Sequence, residues 1–84
     1  MKNNSILKKK IIYRSTHRGT KEMDLLLGNF VKKKIKSLTI LDLKDLSYLL
    51  SFDDDVIFGW YMNKSIKKNI PNTRVSKMLR NFKL

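Results

Sequence analysis

The sequence predicts an all-α fold for residues 1–84, a single small domain in which five helices with short connections form a compact bundle. Apolar residues recur at spacings of three and four, and no segment shows the apolar–polar alternation typical of strands. Thr39 and Thr73, which suit helix N-caps, precede two of the apolar segments. Hydrophobic residues make up 42% of the chain, which is enough for a core and too much for a disordered chain.

The first two helices are predicted for Ser5 to about Ser15 and for about Thr20 to Ser37. Their apolar faces are expected to consist of Leu7, Ile11 and Ile12 in the first helix and of Met23, Leu26, Leu27, Phe30, Val31 and Ile35 in the second. Gly19 is expected to supply the backbone freedom that a tight connection between helices needs. Gly28 lies inside the second helix, where it costs about 1 kcal/mol relative to Ala, so we expect close contact with a neighbouring helix there.

The third and fourth helices are predicted from the residues that begin them. Thr39 with Asp42 three residues later resembles a capping box, and the helix that follows should end near Phe52. Residues 53–55 are three aspartates, which favour a helix N-terminus through their negative charge. The apolar residues of these helices are Leu43, Leu46, Leu49 and Leu50 in the third, and Ile57, Phe58, Trp60 and Tyr61 in the fourth.

A loop is predicted for residues 65–72, where Pro71 excludes a continuous helix. Thr73 then caps a fifth helix with apolar residues at Val75, Met78, Leu79 and Phe82. The aromatic residues of the fourth helix are expected to be core residues rather than a stacking surface. Trp60 in particular should be buried against the second and third helices, near Leu27, Phe30 and Leu46.

The charge of the chain is strongly positive, +12, with 19 Lys and Arg residues against 7 Asp and Glu residues. Such a balance is typical of partners of nucleic acids or anionic surfaces. Fifteen of the basic residues are lysines, however, and a chain rich in Lys, Asn and Ile and without Ala is typical of an AT-rich genome. No helix-turn-helix pattern, zinc finger or aromatic RNA platform is present, so we do not expect a nucleic acid to be the partner.

Catalytic, cofactor and metal sites are not predicted in this chain. It has one His, one Glu and no Cys, whereas acid–base catalysis usually pairs titratable groups. His17 is expected to be a loop residue rather than a base, and residues 53–55 lack the spacing of a calcium loop. The absence of a Gly-rich dinucleotide fingerprint argues against stable cofactor binding. The longest apolar run, residues 56–62, is too short for a membrane span of about 20 residues.

The segment HRGTKEMDLLLGNF, residues 17–30, places Arg18, Gly19 and Glu22 at the start of the second helix. In the simplest interpretation Gly19 serves a turn and Arg18 pairs with Glu22 at i,i+4, an interaction that contributes only about 0.3–0.5 kcal/mol. In the alternative interpretation these three residues form a partner site, because a glycine between opposite charges lets another backbone approach closely.

This segment resembles the RGxxE motif of the succinate dehydrogenase flavinylation factors, also called SdhE-like assembly factors. The similarity includes KKKIIYRSTHRG before the motif and the helix start at Leu38 and Thr39. It returns at FDDDVIFGWYM, which is similar to the family's DDPDLFDWL, with matches at Asp53, Asp54, Phe58 and Trp60. Asp55 stands where the family usually has Pro.

The resemblance implies an assembly factor or chaperone rather than an enzyme. Members bind the flavoprotein subunit of succinate dehydrogenase, and of fumarate reductase where present, and promote covalent attachment of FAD to a histidine of that subunit. Carried over by residue, the partner contact would consist of Arg18, Gly19 and Glu22, extended by His17, Tyr13, Asp53 and Asp54. Glu22 would pair with a cation of the partner or lie near the flavin.

The resemblance also implies a monomer in the bacterial cytoplasm rather than the mitochondrial matrix. The first 21 residues are basic and lack acids, as in a transit peptide, but their removal would cut into the RGxxE segment. The alternatives are a small basic nucleic-acid-binding protein and an antitoxin-like regulator.

Overall fold

Five helices form the chain in the computed structural model, which describes residues 2–62 and 70–83. They are α1 (Lys2–Thr16), α2 (Lys21–Lys34), α3 (Ile40–Leu49), α4 (Asp54–Met62) and α5 (Arg74–Asn81), with one 3₁₀ turn (Ile35–Ser37) after α2. The predicted all-α bundle is confirmed, and the predicted second helix ends in this 3₁₀ turn. The predicted loop of residues 65–72 lies largely outside the described residues.

Threonine caps set the starts of three helices. The hydroxyl of Thr20 accepts a hydrogen bond from the backbone N–H of Met23, 3.3 Å away, at the start of α2. Thr39 and Asp42 form the predicted reciprocal capping box at the start of α3. Thr73 caps α5 in the same manner with Ser76. Each cap satisfies backbone N–H groups that the helix itself leaves unpaired.

The core lies where α1 packs on α2 and α3, and α3 packs on α5. Trp60 is buried, with 4% of its surface exposed, as predicted, and it belongs to the same core as Leu27, Phe30 and Leu46. The guanidinium of Arg80 lies over its ring, 4.9 Å from the centroid. An ion pair between Arg74 and the buried Asp42 joins the start of α5 to α3.

Two predicted core residues are exposed. Ile12 has 40% of its surface exposed, because the inward face of α1 is centred on Ile11 and Ser15 and the next residue lies 100° further around the helix. Phe58 is 38% exposed, because α4 buries Ile57 and Trp60 and the side chain of Phe58 lies on another side of the helix. The prediction of a fully inward aromatic face for α4 was therefore wrong at Phe58.

The helix–helix contact predicted at Gly28 is present. A Cβ atom at this position would lie 3.3 Å from Thr16 Cγ2 at the end of α1. The missing side chain therefore lets α2 approach α1 closely, which offsets the low helix propensity of glycine. None of the helices described for residues 2–62 and 70–83 combines the length and the hydrophobicity that a membrane span needs.

Candidate functional site

An open groove of about 940 Å³ lies between the α1–α2 connection and the α3–α4 connection. We call it the corner groove. It is lined by His17, Arg18, Gly19, Thr20, Glu22, Met23, Leu50, Ser51, Phe52, Asp53, Asp54, Asp55 and Phe58. Six of the seven residues proposed as a partner contact thus lie along one groove, although residues 24–49 separate its two sides along the chain.

The guanidinium of Arg18 makes hydrogen bonds within the fold, to the opposite side of the corner groove. Its Nε donates to Asp54 Oδ1 at 2.7 Å, and Nη1 and Nη2 donate to the backbone carbonyls of Leu50 at 2.8 Å and Phe52 at 2.9 Å. A longer bond of 3.5 Å reaches the carbonyl of Arg14. Only 10% of the Arg18 side chain is exposed. The α3–α4 connection thus has its free carbonyls satisfied by a cation from the opposite side of the groove.

Asp54 binds both Arg18 and the backbone of Gly19. Its second oxygen, Oδ2, accepts a hydrogen bond from the Gly19 N–H at 2.7 Å. Charge-assisted hydrogen bonds of this kind are about twice as strong as neutral ones. We call Arg18, Gly19 and Asp54 the corner clasp, because they hold the two connections together across 36 residues of chain.

Gly19 has an ordinary backbone conformation, so the predicted need for unusual backbone freedom at this position was wrong. No glycine among the described residues has a positive φ. A Cβ at Gly19 would instead lie 3.2 Å from Asp54 Oδ2, which is tight contact with the clasp. The glycine therefore allows the Asp54 carboxylate to reach the backbone N–H, and its requirement comes from space rather than from φ.

Glu22 is exposed and is the member of the predicted motif that does not belong to the corner clasp. Among the described residues it has no hydrogen bond or ion pair, because Arg18 turns toward Asp54 instead of pairing at i,i+4. Asp24, two residues further on, accepts the N–H of Arg18 at 2.6 Å and so anchors the connection before α2. Glu22 therefore presents an uncompensated carboxylate on the groove.

His17 and Tyr13 extend the site along α1. Their rings stack with centroids 3.9 Å apart, and His17 Nδ1 lies 2.9 Å from the Tyr13 carbonyl. His17 lines the groove, whereas Tyr13 lies outside it with 62% of its surface exposed. These contacts are those of a surface aromatic pair.

The corner groove is acidic although the chain as a whole is basic. Four of the seven acidic residues line it: Glu22, Asp53, Asp54 and Asp55. Arg18 pairs with Asp54, so three exposed carboxylates remain in a lining that also includes the apolar side chains of Phe52 and Phe58. The described residues hold no group of three His, Asp or Glu side chains arranged to bind a metal ion. The groove therefore suits a partner with both cationic and apolar groups.

Residues 9–83 match the family model described as flavinator of succinate dehydrogenase. The chain belongs to this family. The match includes the whole corner groove, from His17 to Phe58. The resemblance that the RGxxE segment and the FDDDVIFGWYM segment suggested is therefore correct. No solved structure gives a significant match.

Curated proteins similar to this flavinator-family chain come from eukaryotes and bacteria. It is 40% identical over 73 residues to a protein of Dictyostelium discoideum named succinate dehydrogenase assembly factor 2, mitochondrial, covering 87% of this chain and 52% of that protein. It is 35% identical to a protein of the same name from Candida glabrata, covering 95% and 56%. It is 29% identical to the FAD assembly factor SdhE of Acetobacter pasteurianus, covering 87% and 64%. The chain thus spans about half to two thirds of the length of these relatives.

The site residues predicted from the sequence of this family member did not include the apolar residues of the candidate site. Leu50, Phe52 and Met23 were assigned to helix faces or ends, and Phe58 to the core, yet all line the groove. Their positions follow from how α3 and α4 meet, which periodicity along one helix does not report. The clasp between Arg18 and Asp54 had no signal in the sequence either.

Proposed function

We propose that this chain is an assembly factor that binds the flavoprotein subunit of succinate dehydrogenase and promotes covalent attachment of FAD to that subunit. The observation that carries this proposal is the corner groove, in which the RGxxE segment and the aspartate segment meet around an exposed carboxylate. Membership of the flavinator family supports the same function. The relatives give no support to a nucleic-acid-binding or antitoxin-like role.

The proposed mechanism is that of a chaperone and not of an enzyme. Covalent attachment joins a flavin to a side chain of the partner, so the reacting atoms belong to the partner and its cofactor. A bound assembly factor accelerates this step by favouring a reactive arrangement of protein and flavin. The clasp holds the groove in one shape, and Glu22 provides the charge that selects a cationic group. We propose that the chain acts as a monomer in the bacterial cytoplasm and holds no FAD of its own.

Glu22→Gln is expected to reduce flavinylation of the partner at least tenfold while changing the free energy of unfolding by less than about 0.5 kcal/mol. The physical reason is that Glu22 makes no hydrogen bond or ion pair with the described residues, so within the fold its charge contributes only a weak, exposed interaction with the N-terminus of α2. In-gel flavin fluorescence of the coexpressed flavoprotein subunit measures the first effect, and urea unfolding measures the second.

Asp45→Asn is the matched control for Glu22→Gln. It removes the same charge from α3 at a residue that does not line the groove. Flavinylation should stay at the unmodified level in this variant. Equal flavinylation by Glu22→Gln and the unmodified chain would contradict the role given to Glu22.

Gly19→Arg is expected to keep the helical content and cooperative melting of the domain but to abolish flavoprotein binding. The backbone at Gly19 is open to any residue, and the new side chain is exposed, so the helices can form. The arginine would fill the groove and place a second cation beside Asp54, whose oxygen lies 3.2 Å from the position of the new Cβ. Circular dichroism with thermal melting, together with pull-down of the flavoprotein, measures both outcomes.

Gly59→Arg provides the control for this substitution. It adds the same side chain on α4 at a position where a Cβ meets no atom within 4 Å and which does not line the groove. Binding should persist in Gly59→Arg. If Gly19→Arg unfolds the domain, Gly19 has only a structural role, and if the folded variant still binds, the groove is not the partner site.

A further inference from the structure

The outward face of α1 exposes apolar residues between lysines. Lys9 and Lys10 each lie three or four residues from Ile6 and from Tyr13, so the four residues lie on one side of the helix, away from the buried Ile11. We call these four residues the outer α1 face. Ile6 is 58% exposed and Tyr13 is 62% exposed, so both side chains are accessible to a partner.

The lysines of the outer α1 face have no acidic residue near them in the sequence. Residues 1–21 contain no Asp or Glu. Among residues 2–62 and 70–83, neither Lys9 nor Lys10 takes part in an ion pair. The charge on this face is therefore available to an external anionic group, unlike that of Arg18, which is used within the clasp.

The outer α1 face is continuous with the corner groove. The ring of Tyr13 stacks on that of His17, and His17 is itself part of the groove lining. One partner surface can thus follow the helix from the groove toward Ile6. At 1.5 Å per residue, the distance along the helix axis from His17 to Ile6 is about 16 Å, which is within the reach of a protein interface of standard size.

We propose that the outer α1 face is a second docking surface, which binds an acidic surface of the same flavoprotein subunit whose other part occupies the corner groove. This inference rests on the proposed function. It adds a basic contact surface beside the acidic corner groove. An acidic groove and a basic helix face side by side favour a partner with the complementary arrangement, and together they would set the orientation of docking.

The composition of the face favours a protein as the occupant. Tyrosine is enriched among interface residues that contribute most to binding, and an isoleucine beside it contacts apolar protein surface. A membrane surface would call for a continuous apolar face, whereas here lysines separate the two apolar residues. A nucleic acid would contact the lysines and leave Ile6 without a function.

The test is charge reversal of the face in the full chain. Lys9→Glu with Lys10→Glu is expected to weaken flavoprotein binding at least tenfold at low salt, with a smaller difference at high salt because screening weakens exposed charge pairs. Tyr13→Ala should weaken binding about tenfold. Lys44→Glu with Lys77→Glu is the matched control, since it makes the same change in net charge at exposed positions on α3 and α5.

Isothermal titration with purified flavoprotein subunit measures the affinities, and circular dichroism shows that each variant keeps its helices. The neutral pair Lys9→Gln with Lys10→Gln should give an intermediate loss, which provides a second reading if two glutamates disturb α1. Unchanged affinity in these α1 variants, while the unmodified chain binds, would overturn the inference and leave the proposed function intact.

No binding by the unmodified chain would overturn the proposed function itself and the inference with it. Vesicles rich in phosphatidylserine and a single-stranded RNA are titrated in parallel. If charge reversal abolishes binding to either of them and leaves flavoprotein affinity unchanged, the face serves a different partner and the inference is wrong.

Discussion

Arg18→Ala is expected to lower the free energy of unfolding by about 2–4 kcal/mol and to abolish flavinylation of the partner. The substitution removes a largely buried cation that binds Asp54 and two backbone carbonyls. It leaves the Asp54 carboxylate, whose side chain is only 21% exposed, without its counterion. The two sides of the corner groove would then lose the hydrogen bonds that the Arg18 side chain makes across it and keep the one from the Gly19 N–H to Asp54. Urea unfolding measures the stability, and in-gel flavin fluorescence measures the function.

Arg18→Lys tests the geometry of the same clasp. A lysine keeps the charge but lacks the planar fork that reaches Asp54, Leu50 and Phe52 together. We therefore expect Arg18→Lys to recover less than half of the stability lost in Arg18→Ala. A double-mutant cycle with Asp54→Asn should give a coupling energy of about 1–3 kcal/mol, because the two side chains are in direct contact.

A different result would support the role that the resemblance alone implies for Arg18, which is direct contact with the partner. If Arg18→Ala leaves the unfolding curve unchanged and still abolishes binding, its guanidinium contacts the partner directly. If the stability falls while flavinylation is unchanged, the clasp has no part in shaping the groove. The structure predicts the loss of both, since the same residue supports the fold and lines the site.

Trp60→Ala is expected to lower the free energy of unfolding by about 3–5 kcal/mol, the range found when a large buried aromatic residue is removed from a core. Trp60 is 4% exposed, and the guanidinium of Arg80 lies over its ring. In a domain of this size, such a loss is a large part of the total stability. Chemical denaturation followed by circular dichroism measures it, because the variant lacks the fluorescence of the only tryptophan.

Phe58→Ala is the comparison for Trp60→Ala, because the two residues lie on the same helix. Phe58 has 38% of its surface exposed on the groove, so its removal should lower the free energy of unfolding by less than about 2 kcal/mol. Equal losses for the two variants would contradict the burial of Trp60 and the outward position of Phe58.

The structure divides the RGxxE motif into residues with different tasks. The guanidinium of Arg18 and the backbone of Gly19 are bound by Asp54, whereas Glu22 is exposed. Of the two interpretations of the sequence, the local pairing of Arg18 with Glu22 is wrong, because Arg18 binds Asp54, and the partner contact belongs to the proposed function. Arg18 and Gly19 shape the groove, and in the proposed function Glu22 acts on the partner. The matched substitutions separate these roles by comparing stability with flavinylation.

Helix positions and most of the core were determined by the sequence itself. Cap positions such as Thr39 and Thr73 depend on contacts three residues away, and helix faces depend on spacings of three and four. Such short-range rules also located Gly28 at a helix–helix contact and Trp60 in the core. The segments that carry the family resemblance likewise depend only on the order of residues.

The tertiary structure alone decided how the corner groove is built. Arg18 pairs with Asp54, 36 residues away, and not with Glu22, four residues away. The reason is that the Asp54 carboxylate and the carbonyls of the α3–α4 connection lie together, so one guanidinium binds all of them. At Gly19 the constraint is the space beside that carboxylate, 3.2 Å from the position of a Cβ, and its φ is ordinary. Ile12 and Phe58 are exposed because, among residues 2–62 and 70–83, the helices pack on other sides of α1 and α4. Helical periodicity identifies which residues share a face, but which face is covered depends on how the helices pack, and packing is a property of the whole chain.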